Sequence, residues 1–507
     1  MNYLTIRKHK SNQTLNLFSK RHAFLKNAKF YIKLILAIST VLVSNCAFAE
    51  LPSSVVDALK NAGIAQNNVA IYVQAVDAPT PILMLNAGKS MNPASVMKLV
   101  TTYAALDLLT PAYRWKTEVY RDGNIVNGVL NGNLIIKGFG DPSFKAQEFW
   151  RLLMSLRQAG IRDINGDLLI DKSVFAKNVG NRKTFDAETW RAYNAEPSAF
   201  LVNGRNTSFK FSAIDSSVSV TQEFDLPEIQ IVNNMKLSSA TCENWRDRFT
   251  YTVKSNNSCS IEDCVKNAGV TVTFKGTFSP SCNDRYLELS LLNDEQYAFY
   301  TFKKLWQQLG GKFNGQLKMQ SVPTSAIKVI TQDSEPLGYV VRDINKWSNN
   351  IMARQLLLTL GVEKRSLPAT ESSGATVIKE WFASKNINAT DLVVENGSGL
   401  SRTERISAQH LGQLLVSAYD STVMPELIAS LPILGLDGTV AKRLKTSQSA
   451  GRAHLKTGSL DGVSAIAGYV LNAQNKRFVV VMMINHNNAS ACKLAQDNLI
   501  EWVYHFI

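Results

Sequence analysis

The chain has 507 residues, 45% of them hydrophobic and 19% charged. This is a globular balance that excludes a mainly disordered or collagen-like protein and leaves room for two to four domains. The formal net charge of +14 suggests a nucleic-acid partner only until its location is read: residues 1–49 carry eight Lys and Arg and no acid, and the remainder holds 47 Lys and Arg against 41 Asp and Glu, a balance of +6. No nucleic-acid binding is expected from that remainder.

The N-terminal 49 residues read as a signal peptide. A basic stretch from Arg7 to Lys33 is followed by an apolar run over residues 34–43, too short for a membrane span. The run leads to Ala47-Phe48-Ala49, an A-x-A cleavage pattern, so a cut after Ala49 and release into the periplasm are expected. An uncleaved anchor is the alternative. Asn45 before Cys46 argues against lipid attachment, and no later segment reads as a membrane span.

The first element of the mature chain is an amphipathic helix over residues 51–62. Residues 69–73 and 82–85 then read as two strands. A further helix begins near Ser95, with Leu99, Val100, Tyr103, Leu106 and Leu109 as its apolar face. Residues 114–291 change texture: short alternating strands separated by Gly and Asn turns suggest one or two β-rich modules. Helical periodicity returns at 297–309, 336–360 and 374–385. Residues 465–470 and 478–484 form a second strand pair, and a helix covers about 491–506. Both ends of the chain therefore supply strands and a packing helix, which predicts one sheet built from the two termini with the rest inserted between them. The expected division is 1–49, signal; 50–113 with 292–507, first domain; 114–291, inserted β-rich domains, one nested in the other. The expected fold class is α+β.

Export turns the cysteines into disulfide candidates. Cys242, Cys259, Cys264 and Cys282 allow three pairings. We favour Cys242–Cys282 around a nested Cys259–Cys264 loop. Zinc is the alternative, but there is no C-x-x-C and no nearby histidine. Cys492 is expected as a buried thiol in the C-terminal helix. His410, His454, His486 and His505 form no metal spacing, and no phosphate-binding loop is present, so no metal or cofactor is expected. His454 is expected to face solvent, and Tyr339 and Trp347 to lie in the core or a cleft wall.

Three short motifs carry chemistry: Ser95-Val96-Met97-Lys98, Ser348-Asn349-Asn350 and Lys456-Thr457-Gly458. At the start of a helix, positions i and i+3 share a face, which puts the Lys98 amine beside the Ser95 hydroxyl. A serine hydroxyl needs such a base to become a nucleophile, and the helix N-terminus offers N–H groups to an oxyanion. The amine can act as a base only where burial or a second cation, here Lys456, lowers its pKa. Gly458 would let its strand approach a ligand closely. Decoys fail on context: Ser325 is expected in a strand that points Lys328 the other way, and Ser255 and Asn257 lie among the cysteines.

In this order the motifs resemble those of the penicillin-binding proteins and serine β-lactamases. Gly138-Phe139-Gly140-Asp141-Pro142-Ser143, Asn345-Lys346-Trp347-Ser348-Asn349-Asn350, Asn396-Gly397-Ser398-Gly399-Leu400-Ser401-Arg402 and Lys456-Thr457-Gly458-Ser459-Leu460 resemble the low-molecular-mass class C penicillin-binding proteins over essentially the whole mature chain. The resemblance implies a penicillin-binding, serine β-lactamase-like domain, an antiparallel sheet flanked by helices, with two inserted β-rich domains between Ser95 and Ser348. It implies a D-alanyl-D-alanine carboxypeptidase or D,D-endopeptidase acting on peptidoglycan peptides and acylated by β-lactam antibiotics. Ser95 would be the nucleophile and Lys98 the base. Ser348 and Lys456 would relay the proton, and Asn350 would hold the substrate amide. Thr457 would bind the terminal carboxylate, and the N–H groups of Ser95 and Ser459 would form the oxyanion hole. Arg402, Asp171 and Phe175 match segments that bind the diaminopimelate side chain. Asp461 departs from the usual amide residue and would alter side-chain preference. A serine β-lactamase and a non-catalytic wall-binding protein are the alternatives. The charge leaves peripheral association with membrane or wall open.

Overall fold

The computed structural model describes residues 50–180, 185, 186, 188, 190–255 and 269–506. The expected signal peptide and the expected Cys259–Cys264 bridge lie outside the described residues. No helix among the described residues is long and apolar enough to cross a membrane.

The strand Val69–Ala75 is buried at every position because both of its faces are covered. It belongs to a five-stranded antiparallel sheet in the order Ala453–Leu460, Val463–Leu471, Arg477–Asn485, Val69–Ala75, Leu83–Leu85. Ile71 pairs with Met482 on one side and Leu85 on the other. Successive residues of a strand point to opposite faces. Val69, Ile71, Val73, Val480 and Met482 thus pack in one core with Val55 and Leu59 of the helix Ser53–Asn61 and Leu499 and Val503 of the helix Lys493–His505. Ala70, Tyr72, Val481 and Met483 face a second core made by the central helices. Sandwiching between two cores explains why these strands read as continuous apolar runs.

The helix Met97–Leu109 crosses the middle of that second core. Every residue from Met97 to Leu106 is buried, as expected of an element surrounded by protein on all sides. The single apolar face expected from sequence is therefore a full circumference. Around it pack Leu337–Lys346, Asn350–Lys364, Glu371–Ser384 and Ala408–Tyr419. The helical stretch expected over 336–360 is broken after Lys346. Ser348 adopts φ +58°, a left-handed conformation that an α-helix cannot carry through, and the Asn349 side chain caps the next helix by accepting the Met352 N–H at 3.1 Å.

The inserted part begins and ends at one place. The Trp115 N–H donates to Ser334 Oγ at 3.0 Å, and the Ser334 N–H donates to the Trp115 carbonyl at 2.9 Å. Residues from 292 were expected with the first domain; the helix Asp294–Gln308 packs here with the stretch before it. Leu317–Met319 and Ile327–Asp333 are the outer strands of a mixed sheet in the order Leu317–Met319, Leu168–Asp171, Leu134–Gly138, Lys116–Arg121, Ile327–Asp333. One core spans Val119 to Leu317 and includes the helices Ala146–Gln158 and Asp294–Gln308. Two three-stranded sheets nest within it, one of Thr207–Ile214, Ser217–Gln222 and Arg285–Leu289, the other of Ile229–Leu237, Phe249–Ser255 and Val270–Phe278.

Cys242 and Cys282 are joined, as expected, across a sequence separation of 40. The bridge restricts the unfolded chain, so replacing both cysteines with alanine is expected to cost about 2–4 kcal/mol. A lower denaturant midpoint for the inserted part is the measurement. Cys492 is buried and free, one residue ahead of the last helix rather than inside it.

Candidate active site

Ser95 sits in a single 3-10 turn, Ala94–Val96, that runs directly into Met97–Leu109. The turn is pinned from three sides. Asn92 is buried; its Oδ1 accepts the Ala94 N–H at 2.9 Å and its Nδ2 donates to the Ser401 carbonyl at 2.8 Å. Asn485 of the central sheet accepts the Asn92 N–H at 2.9 Å and donates to its carbonyl at 3.0 Å. Two glycines press against the turn. A Cβ on Gly399 (φ +82°) would fall 1.9 Å from the Ala94 carbonyl oxygen, and one on Gly458 would fall 2.6 Å from the Pro93 oxygen and 3.0 Å from the Ser95 nitrogen. Gly458 lies on Ala453–Leu460, the edge strand of the sheet, so this backbone runs alongside the serine.

Two fully buried lysines face the turn. Lys98 Nζ donates to Ser95 Oγ at 3.0 Å, to Asn350 Oδ1 at 2.6 Å and to the Ser398 carbonyl at 2.5 Å. Lys456 Nζ donates to Ser348 Oγ at 2.9 Å and to its neighbour's carbonyl, Thr457 O, at 2.7 Å. Burial disfavours the ammonium form of both. It brings Lys456 down to about 7. Lys98 falls well below the ordinary lysine value, first through burial and then through the charge of Lys456, with Glu404 opposing. The left-handed turn at Ser348 aims its hydroxyl at Lys456, and Asn350 opens the following helix with its amide on Lys98. The three motifs thus converge from a helix start, a helix break and a sheet edge.

Sequence reasoning missed the group behind Lys98. Glu404 is fully buried. Its Oε1 accepts the N–H groups of Glu395, Asn396 and Gly397 at 3.1, 2.9 and 2.9 Å, while Oε2 is buried with no hydrogen-bond partner among the described residues. Burial raises its pKa, against the pull of the three N–H groups and of Lys98. This clamp orients the turn whose Ser398 carbonyl receives Lys98 and whose Gly397 carbonyl receives Thr101 Oγ1 at 2.7 Å. The Asn-Gly-Ser-Gly run marks the turn in the sequence; nothing there marks a glutamate eight residues after Asn396 as buried.

The other expected site residues divide. Thr457 is half-buried and its Oγ1 donates to Thr439 Oγ1 at 2.8 Å, which adds Thr439 to the neighbourhood. Ser459 is exposed beside it. Arg402 is exposed, donates to the Asp461 carbonyl at 2.7 Å and lies 4.6 Å from the Phe185 ring; Asp461 is exposed too. Asp171 and Phe175 are both buried. Asp171 is 1% exposed and accepts the Ser173 and Val322 N–H groups at 2.8 and 3.0 Å, tying a strand end in the inserted sheet. Phe175 is buried in a small cluster with Leu358 and Ala369, its ring filling the space above Gly140.

Three further residues or pairs differ in whole or in part from expectation, Trp347 being exposed yet part of a groove wall. His454 is half-buried, with Nδ1 3.2 Å from the Ile428 carbonyl, and its pKa is lowered by burial. Tyr339 and Trp347 are each 69% exposed. Ser325 lies in a turn before its strand, and Lys328 pairs with Glu118 at 2.5 Å. Among the described residues no group of His, Cys, Asp and Glu is arranged to hold a metal ion.

The chain resembles known proteins over most of its length. The sequence pattern of the D-Ala-D-Ala carboxypeptidase 3 (S13) family matches residues 51–505. The chain is 26% identical over 429 residues to D-alanyl-D-alanine carboxypeptidase DacB of Haemophilus influenzae, covering 83% of this chain and 85% of that protein. It is 24% identical over 423 residues to a D-alanyl-D-alanine carboxypeptidase of Actinomadura sp. (strain R39), covering 82% and 77%. The crystal structure of penicillin-binding protein 4 from Haemophilus influenzae has the same fold, with a TM-score of 0.71 at 24% identity over 89% of this chain and 99% of that one. The chain belongs to the D-Ala-D-Ala carboxypeptidase 3 (S13) family, the low-molecular-mass class C penicillin-binding proteins, and is a serine-type peptidase.

Proposed function

We propose that the protein is a serine D,D-peptidase that removes terminal D-alanine from peptidoglycan stem peptides, or cleaves their D,D-cross-links, through an acyl-enzyme on Ser95. The observation that carries this reading is the pair of buried lysines, one on each serine: Lys98 on Ser95 at 3.0 Å and Lys456 on Ser348 at 2.9 Å. A neutral Lys98 takes the Ser95 proton as Oγ attacks the carbonyl carbon of the penultimate D-alanine. The developing oxyanion is held by the N–H groups of Ser95 and Ser459, which the close passage of Gly458 brings alongside each other. The C–N bond breaks as Ser348 gives its proton to the leaving amine; the proton held on the Lys98 ammonium is relayed back to Ser348, beside Lys456, so that Lys98 is neutral again. Asn350 orients the substrate amide, while Thr457, with Thr439 behind it, receives the terminal carboxylate. Water then attacks the ester with the Lys98–Ser348 side acting as base, and Ser95 recovers its proton.

β-Lactams would acylate the same serine; the penicillin-binding protein 4 fold has been solved in complex with one. Arg402 and Asp461 would contact the substrate's side chain at the mouth, whereas Asp171 and Phe175 have no part in this reading. We divide the mature chain at Trp115 and Ser334, with the peptidase domain on either side of a β-rich insertion. Export to the periplasm with a cut after Ala49 rests on the sequence of residues 1–49 and on the Cys242–Cys282 bridge, which fits an oxidising compartment.

The test is release of D-alanine from a pentapeptide ending in D-Ala-D-Ala. The wild type is expected to release it and Ser95→Ala to release none; equal release by both overturns the reading. The depressed Lys98 pKa also fixes a pH dependence. The reactive form is the neutral amine, whose population grows as pH rises through its pKa. Because that pKa lies well below the ordinary value of 10.5, acylation should climb on an acid limb far below pH 10 and level off. A rate still rising steeply at pH 10 would mean that Lys98 is an ordinary lysine.

A further inference from the structure

A groove of 1340 Å³ begins at Ser348 and Asn350 and runs across the inserted part as far as Tyr286. Its volume exceeds the roughly 300–1,000 Å³ of a small-ligand pocket, and of the site residues only Ser348 and Asn350 line it, so a dipeptide held at Ser95 and Thr457 would meet only its end. One wall is the helix break at Trp347 and the start of the helix that follows; the other is the nested β-sheet and the segment around Tyr193. Three aromatic rings stand open along it: Trp347 at 69%, Tyr286 at 42% and Tyr193 at 37% exposure. Large aromatic rings left in water along a groove continuous with a reactive centre mark a binding surface. Their flat apolar faces, each with one polar tip, suit the C–H faces of sugar rings. The lining carries both signs of charge, Arg191 and Asp343 included. Arg246 and Lys145 stand against Glu223 and Glu288, and Arg246 is held by a bond to the Tyr286 carbonyl at 3.2 Å. A uniformly basic or acidic polymer would be repelled somewhere along such a wall, whereas a strand bearing both carboxylates and amines would find a partner for each.

We propose that this groove binds the sugar–peptide strand from which the D,D-peptide projects, so that the enzyme is built for polymeric, wall-bound substrate rather than for free stem peptides. The proposal rests on the reading of Ser95 as the acylation site. It assigns to the inserted part the work of holding the polymer while the stem peptide reaches between Ser95 and Ser348.

The test uses Tyr286→Ala and Trp347→Ala, both at exposed positions where truncation leaves the cores untouched. Each is measured on purified peptidoglycan sacculi and on a soluble acyl-tripeptide ending in D-Ala-D-Ala. Turnover of sacculi is expected to fall about tenfold, with the soluble peptide changed less than twofold. Equal losses on both substrates, or none on either, overturn the proposal; no loss on either is also the outcome if the groove serves a protein partner. A binding measurement separates this failure from failure of the acylation site. Full-length mature Ser95→Ala protein should co-sediment with sacculi, and adding Tyr286→Ala should weaken that binding about tenfold. Sedimentation that is indifferent to Tyr286 contradicts the groove whatever the enzyme's chemistry proves to be.

Discussion

Replacement of Lys98 by methionine is expected to lower the rate of Ser95 acylation by a factor on the order of 10³, in the middle of the range for loss of a general base, while leaving the protein folded. Methionine keeps most of the length and apolar volume of the lysine stem. The site is fully buried, so removing the amine also removes the cost of keeping a potential cation out of water. Against that gain stand three acceptors left without their donor: Ser95 Oγ, Asn350 Oδ1 and the Ser398 carbonyl. Only the bond to the Ser398 carbonyl is fully buried, and one unmet buried acceptor costs about 1–3 kcal/mol, so a modest net drop in melting temperature with an intact fold is expected. Stopped-flow acylation with a chromogenic cephalosporin reads the rate, and circular dichroism reads the fold. Activity within tenfold of wild type would remove Lys98 from the role of base.

The second large effect is expected at Gly399, which contains no reactive group. Gly399→Ala puts a Cβ 1.9 Å from the Ala94 carbonyl oxygen at a position whose φ is +82°. Both the contact and the dihedral oppose a side chain. Backbone oxygen cannot swing away as a flexible side chain would, so either the Ser95 turn or the Asn396–Ser401 turn must move. Because the Ser398 carbonyl and the Glu404 clamp belong to the second turn, any shift pulls Lys98 out of register with Ser95. Loss of acylation by 10²-fold or more is expected, since a misplacement of about 1 Å has that consequence, together with a lower melting temperature. An alanine variant of unchanged rate and stability would mean that the two turns are not in the close contact described.

The central sheet was legible in the sequence because its strands are buried on both faces, so Val69-Ala70-Ile71-Tyr72-Val73 and Phe478 to Ile484 stand out as apolar runs at opposite ends of the chain. Ser95 and Lys98 were legible because i and i+3 meet at a helix start whatever surrounds them. The break at Ser348 was hidden because apolar residues continue at helical spacing on both sides of it. Two strands of the mixed sheet were hidden for a different reason. Leu317–Met319 and Ile327–Asp333 are short, largely exposed edge strands, and edge strands carry little apolar alternation. The burial of Asp171 and Phe175 was not legible in their motif, since it depends on the backbone N–H groups of Ser173 and Val322 and on packing around Gly140. Glu404 lay beyond sequence reasoning altogether, since its role depends on three N–H groups brought together by the turn at Asn396.

The measurement that tests the account most directly is mass mapping of the adduct formed by a fluorescent penicillin on the mature protein, alongside Ser95→Ala. The account predicts one stable adduct, on the peptide containing Ser95, and none in the variant. An adduct that persists in Ser95→Ala, or that maps to another serine, would contradict it. Rapid hydrolysis of the penicillin with no lasting adduct would contradict the slow release expected of a penicillin-binding D,D-peptidase.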